Sequence, residues 1–251
     1  MYLTIRGLVL RVSDYNDRDA IVTLLTQKHG RLSVKARGLR RKNSPLTAPC
    51  QLLAYGEFLI FEHRGSYSIN EATSIELFHD LRKDLTKLSL GTYFAQAAEV
   101  MSQEDMPNPN LLSLTLNCLY ALNSTNISAS LIKAVFELRC ACISGYEPDL
   151  SGCHRCGNPM ADRLDTAAGH LECHTCRSED STGLRMPVAS GALDAMRYIV
   201  QCDSKRLFSF CVSDATAKQL SQITETYLTT QLERGFSALD FYKSLFIPSQ
   251  F

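Results

Sequence analysis

Apolar and polar residues alternate in short runs along the first eighty positions, a pattern that predicts β-strands. Five runs, separated mostly by Gly, Asn, Asp or Pro, are rich in β-branched, aromatic or alternating residues: 4–12, 20–25, 31–37, 56–61 and 67–72. Five strands with no helical pattern between them are typical of a small closed barrel, and the OB-fold is the common barrel with this number of strands. We therefore predict an OB-fold over residues 1–80, with an SH3-like barrel as the alternative.

From residue 81 onward the apolar spacing becomes helical. The predicted helices begin after Asp80, after Pro109, at Ser128, near Ser190, at Ser213 and at Phe236. Ser128 is a candidate N-cap for the third of these helices, because its hydroxyl can accept a hydrogen bond from a free backbone N–H. The chain is thus predicted to be an α+β multidomain protein, with a helical domain over residues 81–251.

A segment rich in Cys, His, Gly and Pro interrupts the helical region over residues 150–187. It contains two C-x2-C pairs, formed by Cys153 with Cys156 and by Cys173 with Cys176, and sixteen residues separate the pairs. This spacing is typical of a tetrahedral zinc site. Four thiolates leave no open position for water or substrate, so we predict one structural zinc ion in a zinc-binding insertion.

The other cysteines and histidines give weaker signals. His154 and His174 lie inside the two C-x2-C pairs but are weaker ligand candidates than the repeated cysteines. The remaining six cysteines show no metal-ligand spacing and are expected in the core. These are Cys50, Cys118, Cys140, Cys142, Cys202 and Cys211.

Familiar catalytic motifs do not occur in the sequence, which contains no G-x-G-x-x-G, H-E-x-x-H or G-x-S-x-G. Gly152 and Gly157 have the spacing of a phosphate loop, but Asn158 and Pro159 replace its Lys-Ser/Thr. The run 170–172 reads H-x-E as in zinc deaminases, yet it adjoins a cysteine pair and cannot supply an independent ligand and proton shuttle. The missing motifs do not exclude an enzyme with an unrecognised site, but they favour a protein without enzymatic activity, which we expect here.

The formal net charge of zero conceals an uneven distribution along the chain. Residues 1–48 hold ten basic and three acidic side chains, a net charge of +7, and the remainder carries −7. No acidic residue occurs from Lys28 to Cys50. Such a segment attracts polyanions or acidic partners.

The third predicted strand and the loop after it carry most of this positive charge. Alternation places Leu32, Val34 and Ala36 on one face of this strand and its basic residues on the opposite face. Six cations on a predicted OB barrel favour a nucleic-acid site, whose single-strand affinity would fall with salt at a log–log slope of about −4. Among the aromatic residues, Phe58 and Phe61 are expected in the core.

The apolar content also bears on location. No window approaches the roughly 18 apolar residues of a membrane span, and the first residues lack the charged and apolar regions of a signal peptide. We expect a cytoplasmic protein that does not contact membranes.

Taken together, these features resemble the RecO family of bacterial recombination mediators. The resemblance rests on the opening strand through Arg11-Val12, the strand 17–26, the turn and strand 29–41, and the embedded four-cysteine motif. The order of barrel, helices, zinc insertion and further helices also matches, over essentially the full length.

The resemblance implies a function in DNA repair and DNA recombination and an association with the nucleoid. Members bind single- and double-stranded DNA, anneal complementary strands, engage the C-terminal tail of single-strand-binding protein, and with RecR help load RecA. It places phosphate contacts on seven cations, here called the basic set: Lys28, Arg31, Lys35, Arg37, Arg40, Arg41 and Lys42. Arg139, Arg197 and Lys205 are candidates beside the tail-binding groove. The alternative is a zinc-ribbon interaction module that binds RNA or an acidic protein.

Overall fold

The structure, a computed structural model, describes residues 1–176 and 184–246. Part of the predicted zinc insertion, residues 177–183, and the end of the predicted helical domain, residues 247–251, lie outside the described residues. The chain forms two compact units. Unit 1 combines residues 1–125 with the C-terminal segment that starts at Phe236, and unit 2 comprises residues 126–235.

Unit 1 contains a closed five-stranded barrel, which confirms the predicted OB-type fold. Its strands are β1 (Tyr2–Asp14), β2 (Ala20–Thr26), β3 (Arg31–Ala36), β4 (Tyr55–His63) and β5 (Ser66–Glu76). They pair in the order β1–β2–β3–β5–β4, and β4 pairs again with β1 to close the barrel.

The barrel interior follows the alternation seen in the sequence. Leu32, Val34 and Ala36 of β3 point inward and are buried, together with Leu24 of β2 and Phe58 of β4. One face of each strand therefore forms the core, and the other is left for ligands and solvent.

The connection from β3 to β4 is a series of hydrogen-bonded turns rather than a loose loop. The N–H of Arg41 donates to the carbonyl of Gly38 at 3.1 Å, and the N–H of Ser44 donates to the carbonyl of Arg41 at 3.2 Å. Leu39 and Leu46 are buried in the barrel core. These anchors hold the intervening cations against the barrel.

The other regular elements that the structure describes in unit 1 are helices. A 3-10 helix (His79–Lys83) precedes α1 (Leu85–Met101) and α2 (Pro109–Ser124), and a later helix, Ser237–Ser244, also belongs to this unit. Asp84 and Asn108 cap α1 and α2 by accepting hydrogen bonds from free N–H groups of the first turn. The first helix packs against β1, α2 and the C-terminal helix.

Unit 2 joins three helices to a small sheet. The helices are α3 (Ala129–Ile143), α4 (Ser190–Gln201) and α5 (Asp214–Gln231), and the helix at Ser237–Ser244 is accordingly α6. The predicted cap Ser128 accepts a hydrogen bond from the N–H of Leu131, which confirms the start of α3. The sheet has the order β6–β8–β7–β9, with β6 (Asp149–Cys153), β7 (Arg163–Asp165), β8 (His170–Glu172) and β9 (Arg185–Pro187).

The helices also bear on membrane insertion. Across the ranges 1–176 and 184–246, none of them combines the length and apolar character that crossing a bilayer requires.

Candidate nucleic-acid interface and metal centre

The basic set is distributed over two ends of the barrel. Lys28 and Arg31 lie at the β2–β3 turn, whereas Arg37, Arg41 and Lys42 follow the other end of β3. Because β3 has six residues and a strand rises about 3.3 Å per residue, the two ends are about 20 Å apart. The sequence grouped these cations by proximity along the chain, but the structure separates them.

Three members of the basic set form ion pairs with acids from elsewhere in unit 1. Arg40 Nε lies 3.0 Å from Asp14 Oδ1, and Lys35 Nζ lies 3.9 Å from Asp19 Oδ2. Arg31 lies 3.9 Å from Glu104. The acid-free stretch of sequence is thus not free of acids in space, because β1, the β1–β2 loop and the α1–α2 connection bring carboxylates beside it.

Hydrogen bonds from the backbone and from a neighbouring side chain fix the position of Asp19. The backbone N–H of Gly38 donates to Asp19 Oδ1 at 2.8 Å and is the main reason that the pKa of this carboxyl lies below its ordinary value. The side chain of Asn16 and the charges of Lys35 and Arg41 act in the same direction. The loop between β1 and β2 is therefore fixed to the start of the β3–β4 connection.

Four members of the basic set remain uncommitted: Lys28, Arg37, Arg41 and Lys42. All four are exposed, and no carboxylate of the described ranges lies within 4.0 Å of them. Arg37, Arg41 and Lys42 are clustered, so they can contact neighbouring phosphates of one strand.

Arg18 is a cation that the sequence analysis did not single out. It is exposed in the β1–β2 loop, and its carbonyl accepts the N–H of Arg40 at 3.1 Å, which places it beside the cluster. The signal that could have found it is positional, since the β1–β2 loop is one of the two loops with which OB-folds bind oligonucleotides.

Exposed aromatic rings accompany the cations. Lys35 Nζ lies 4.0 Å from the centroid of the Tyr15 ring, within cation–π range. Phe58 is fully buried as predicted, but the expectation for Phe61 is wrong because its side chain is 37% exposed. Three positions separate the two residues, so strand alternation turns them to opposite faces.

The metal centre begins with the four cysteines of the C-x2-C pairs, which converge in unit 2. Their Sγ atoms all lie within 4.8 Å of one another, and the sulfurs of Cys156 and Cys173 are 3.7 Å apart. A tetrahedron with metal–sulfur bonds of about 2.3 Å has edges of about 3.8 Å. The donor set and its spacing therefore fit a tetrahedral metal ion.

Backbone geometry explains why glycines flank the first cysteine pair. Gly157 has φ +72°, a conformation that favours glycine, and its N–H donates to the carbonyl of Cys153 at 2.8 Å. A Cβ at Gly152 would lie 2.9 Å from the Gly157 carbonyl oxygen. Both glycines are thus required for the turn that aims the sulfurs inward.

The surroundings of the thiols favour charge on one of them. The Thr175 hydroxyl, 3.1 Å from the Cys173 sulfur, is the main cause that lowers the pKa of this thiol to about 6. Hydrogen bonding with the sulfurs of Cys156 and Cys173 raises the pKa of Cys176 to about 12. The thiol of Cys173 therefore loses its proton more readily than that of Cys176, and a bound divalent ion would replace the thiol protons.

Two histidines near the four cysteines stack on each other and do not belong to the cysteine cluster. The ring of His154 stacks on that of His170 with centroids 4.3 Å apart. His170, Asp165 and Glu172 also lie close together, but Asp165 accepts the N–H groups of Ala167 and Ala168, and Glu172 lies 3.0 Å from Arg185. The H-x-E run is thus part of the packed sheet.

The three cations considered for partner binding have different environments. Arg139 donates to the carbonyls of Ile199 and Val200, and Arg197 donates to the carbonyl of Leu150. Both arginines therefore serve the packing of unit 2. Lys205 is exposed.

The fold and these two sites define a class of protein in which an OB-type barrel carries exposed cations and a helical region carries a four-cysteine cluster. The family model described as Recombination protein O N terminal matches residues 1–78. The model described as Recombination protein O C terminal matches residues 82–240. The chain belongs to the RecO family of DNA repair and recombination proteins.

Curated relatives from this family match nearly the whole length of the chain. A DNA repair protein RecO from Acetivibrio thermocellus is 34% identical, and the match covers 97% of each chain. The protein of the same name from Alkaliphilus metalliredigens is 28% identical over 98% of this chain and 100% of its own. The one from Bacillus subtilis is 28% identical over 88% of this chain and 86% of its own. These matches agree with the resemblance seen in the sequence.

Proposed function

We propose that this chain is a non-enzymatic recombination mediator in DNA repair. It binds single- and double-stranded DNA, anneals complementary strands, and acts with RecR to load RecA onto DNA coated by single-strand-binding protein. The observation that carries the proposal is the cluster of uncommitted cations after β3, on the exterior of an OB-type barrel in a RecO-family chain.

Annealing on such a surface requires no covalent chemistry. Two complementary strands repel each other through their phosphates, and cations between them reduce this repulsion and increase the rate of encounter. Arg37, Arg41 and Lys42 supply the charge directly. The exposed Arg40–Asp14 pair and the half-buried Lys35–Asp19 pair can exchange their carboxylates for phosphates at small cost, because such surface pairs contribute about 0–1 kcal/mol.

Zinc is the metal that we assign to the four-cysteine cluster, with Cys153, Cys156, Cys173 and Cys176 as its ligands. Four thiolates in tetrahedral spacing favour zinc among divalent ions. A fully protein-ligated ion has no open position, so its contribution is to the folding of the β6–β9 module. We assign the DNA contacts to the barrel.

Interaction with the acidic, apolar tail of single-strand-binding protein is part of the same proposal. Lys205 is the remaining candidate among the three cations, since Arg139 and Arg197 are used by backbone carbonyls. The location of the RecR surface is left open.

Strand annealing tests the proposal directly. Complementary strands coated with the cognate single-strand-binding protein should anneal faster with the protein than without it, and more so at low than at high salt. Absence of any acceleration by folded, metal-loaded protein would instead favour the zinc-ribbon interaction module that binds RNA or an acidic protein.

Charge reversal at Arg41 and Lys42 is expected to abolish this acceleration. Arg41→Glu with Lys42→Glu replaces two uncommitted cations by anions, which should weaken DNA binding at least 100-fold at low salt. The log–log salt slope for single strands should also become shallower by about 1.4, because about 0.7 counterion is released per phosphate contact. Fluorescence anisotropy over a salt series measures both quantities.

The matched control alters the net charge by the same amount but at two cations of unit 2. Lys218 and Arg234 are exposed there, and Lys218→Glu with Arg234→Glu should leave the affinity and slope close to those of the wild type. Equal losses in the two variants would show that net charge alone governs binding and would refute the assignment of the site. Zinc content should be the same in all three proteins.

A further inference from the structure

Three aromatic rings form a row on the outside of the barrel. Tyr2 of β1 is the register partner of Phe61 of β4, and their ring centroids are 5.1 Å apart. His63 lies two residues further along β4, and its ring is parallel to that of Phe61 within 7° at a centroid distance of 6.2 Å. Tyr2 is 60% exposed, and His63 is exposed as well. This aromatic row thus presents ring surface to solvent.

Strand register connects the aromatic row to the cations. Lys35 of β3 is the partner of Ser68 of β5, Ser68 is the partner of Phe61, and Phe61 is the partner of Tyr2. Partners across a ladder lie side by side, and strands are about 4.8 Å apart, so the band from Lys35 to Tyr2 is about 14 Å wide. Lys35 also contacts the Tyr15 ring, which adds an aromatic group at the cationic end.

We infer that the aromatic row is a stacking site for the unpaired bases of single-stranded DNA, with the phosphates directed to the cations across the band. The inference rests on the proposed function and adds to it a contact that distinguishes single strands from duplex. Bases in a duplex already stack on one another and hide their faces, whereas those of a single strand are free to stack on protein rings. Cations alone do not make this distinction.

The chemistry of the band favours this ligand over an apolar protein segment. Its members are two tyrosines, a phenylalanine, a histidine, a serine and a lysine, so flat rings adjoin polar groups rather than forming an aliphatic patch. Flat rings flanked by positive charge are the recurring features of sites for single strands, because every base has a face that can stack.

Three probes of equal length separate stacking from charge: an oligothymidylate, an abasic strand with the same phosphates, and a duplex. The wild type should bind the oligothymidylate more tightly than the abasic strand. Tyr2→Ala with Phe61→Thr should reduce affinity for the oligothymidylate about 10-fold or more and leave the abasic strand and the duplex unchanged. Tyr120→Ala, at a tyrosine of α2 that is 59% exposed, is the matched control and should change none of the three.

A second variant tests the row without removing a ring. The chain contains no tryptophan, so Tyr2→Trp introduces a single indole whose emission reports on stacking. Oligothymidylate should quench this emission upon binding, and the abasic strand should not.

The outcomes distinguish this inference from the function on which it rests. Unchanged oligothymidylate affinity in the Tyr2/Phe61 variant, or equal quenching by both strands, would overturn the stacking site while leaving the cationic site intact. A wild type that binds none of the three probes would overturn the proposed function and the stacking site together. Loss of all binding in the Tyr2/Phe61 variant, with normal binding and selective quenching in Tyr2→Trp, would mean that the first variant misfolds, and the stacking site would stand.

Discussion

Removing the metal from the four-cysteine cluster is expected to unfold the β6–β9 module. Structural zinc contributes on the order of 10 kcal/mol to small modules, and the sheet strands here have only three to five residues each. Cys173→Ser should therefore abolish stoichiometric zinc, lower the melting temperature and expose the amides of β7 and β8 to hydrogen exchange. Cys173 is the most informative choice because its sulfur lies 3.7 Å from that of Cys156 and accepts from Thr175.

Cys211→Ser is the matched control for this substitution. Cys211 is exposed, so the expectation that it lies in the core is wrong. It belongs to the same unit but lies outside the cluster, so zinc content and melting should match those of the wild type. The barrel should still bind DNA in the Cys173 variant, since the basic set lies in unit 1. Full zinc occupancy after Cys173→Ser would show that the cluster is not the metal site.

Replacing Lys133 by methionine is expected to destabilise unit 2 by about 3–5 kcal/mol, the usual cost of leaving a buried charge without its partner. The Lys133 side chain is 2% exposed, and its Nζ lies 2.9 Å from Glu137 and 2.8 Å from Glu225. It also donates to the carbonyl of Ser221 at 3.1 Å. Without the ammonium, the fully buried Glu137 loses its main counter-charge. Denaturant unfolding measures the change.

The pH dependence of this effect has a defined sign. Burial raises the pKa of Glu137 above its ordinary value even beside Lys133, and removing Lys133 raises it further. A carboxyl whose pKa is higher in the folded state binds its proton more readily there, so stability falls as the pH rises. The loss caused by Lys133→Met should therefore be larger at pH 8 than at pH 5.5.

A double variant separates the charge from the packing. Lys133→Met with Glu137→Met removes both members of the buried pair, and such replacements are often neutral or stabilising. We expect it to recover most of the stability lost in Lys133→Met. A double variant as unstable as the single one, with no pH dependence, would show that packing volume rather than the lost counter-charge of Glu137 causes the loss.

Local pattern was sufficient for the barrel strands and the α-helices, but not for the short strands β6 to β9 beside the cysteine pairs. The strands were predicted from alternation because half of each barrel strand is buried, and the α3 start was predicted from Ser128 because capping is a contact within four residues. The C-x2-C pairs could also be recognised from the sequence, since a metal-binding turn needs two cysteines at a fixed short spacing.

The candidate sites could be predicted only in part. The basic set was identified from the sequence, but Lys28 and Lys42 lie beyond opposite ends of β3, and Arg18 joins the cluster from another loop. The partners of Arg40 and Lys35 come from β1 and the β1–β2 loop. None of these relations follows from distance along the chain.

The sequence by itself determined which segments become barrel strands, α-helices and metal-binding turns, because those choices depend on neighbours a few residues away. Tertiary structure decided which side chains meet. Lys133 and Glu137 have the spacing of an exposed helix pair, yet α3 packs them against α5. Lys35 and Tyr2 become parts of one band because β3, β5, β4 and β1 are adjacent in the closed barrel. Such contacts depend on strand order and helix packing, which link residues far apart in the chain.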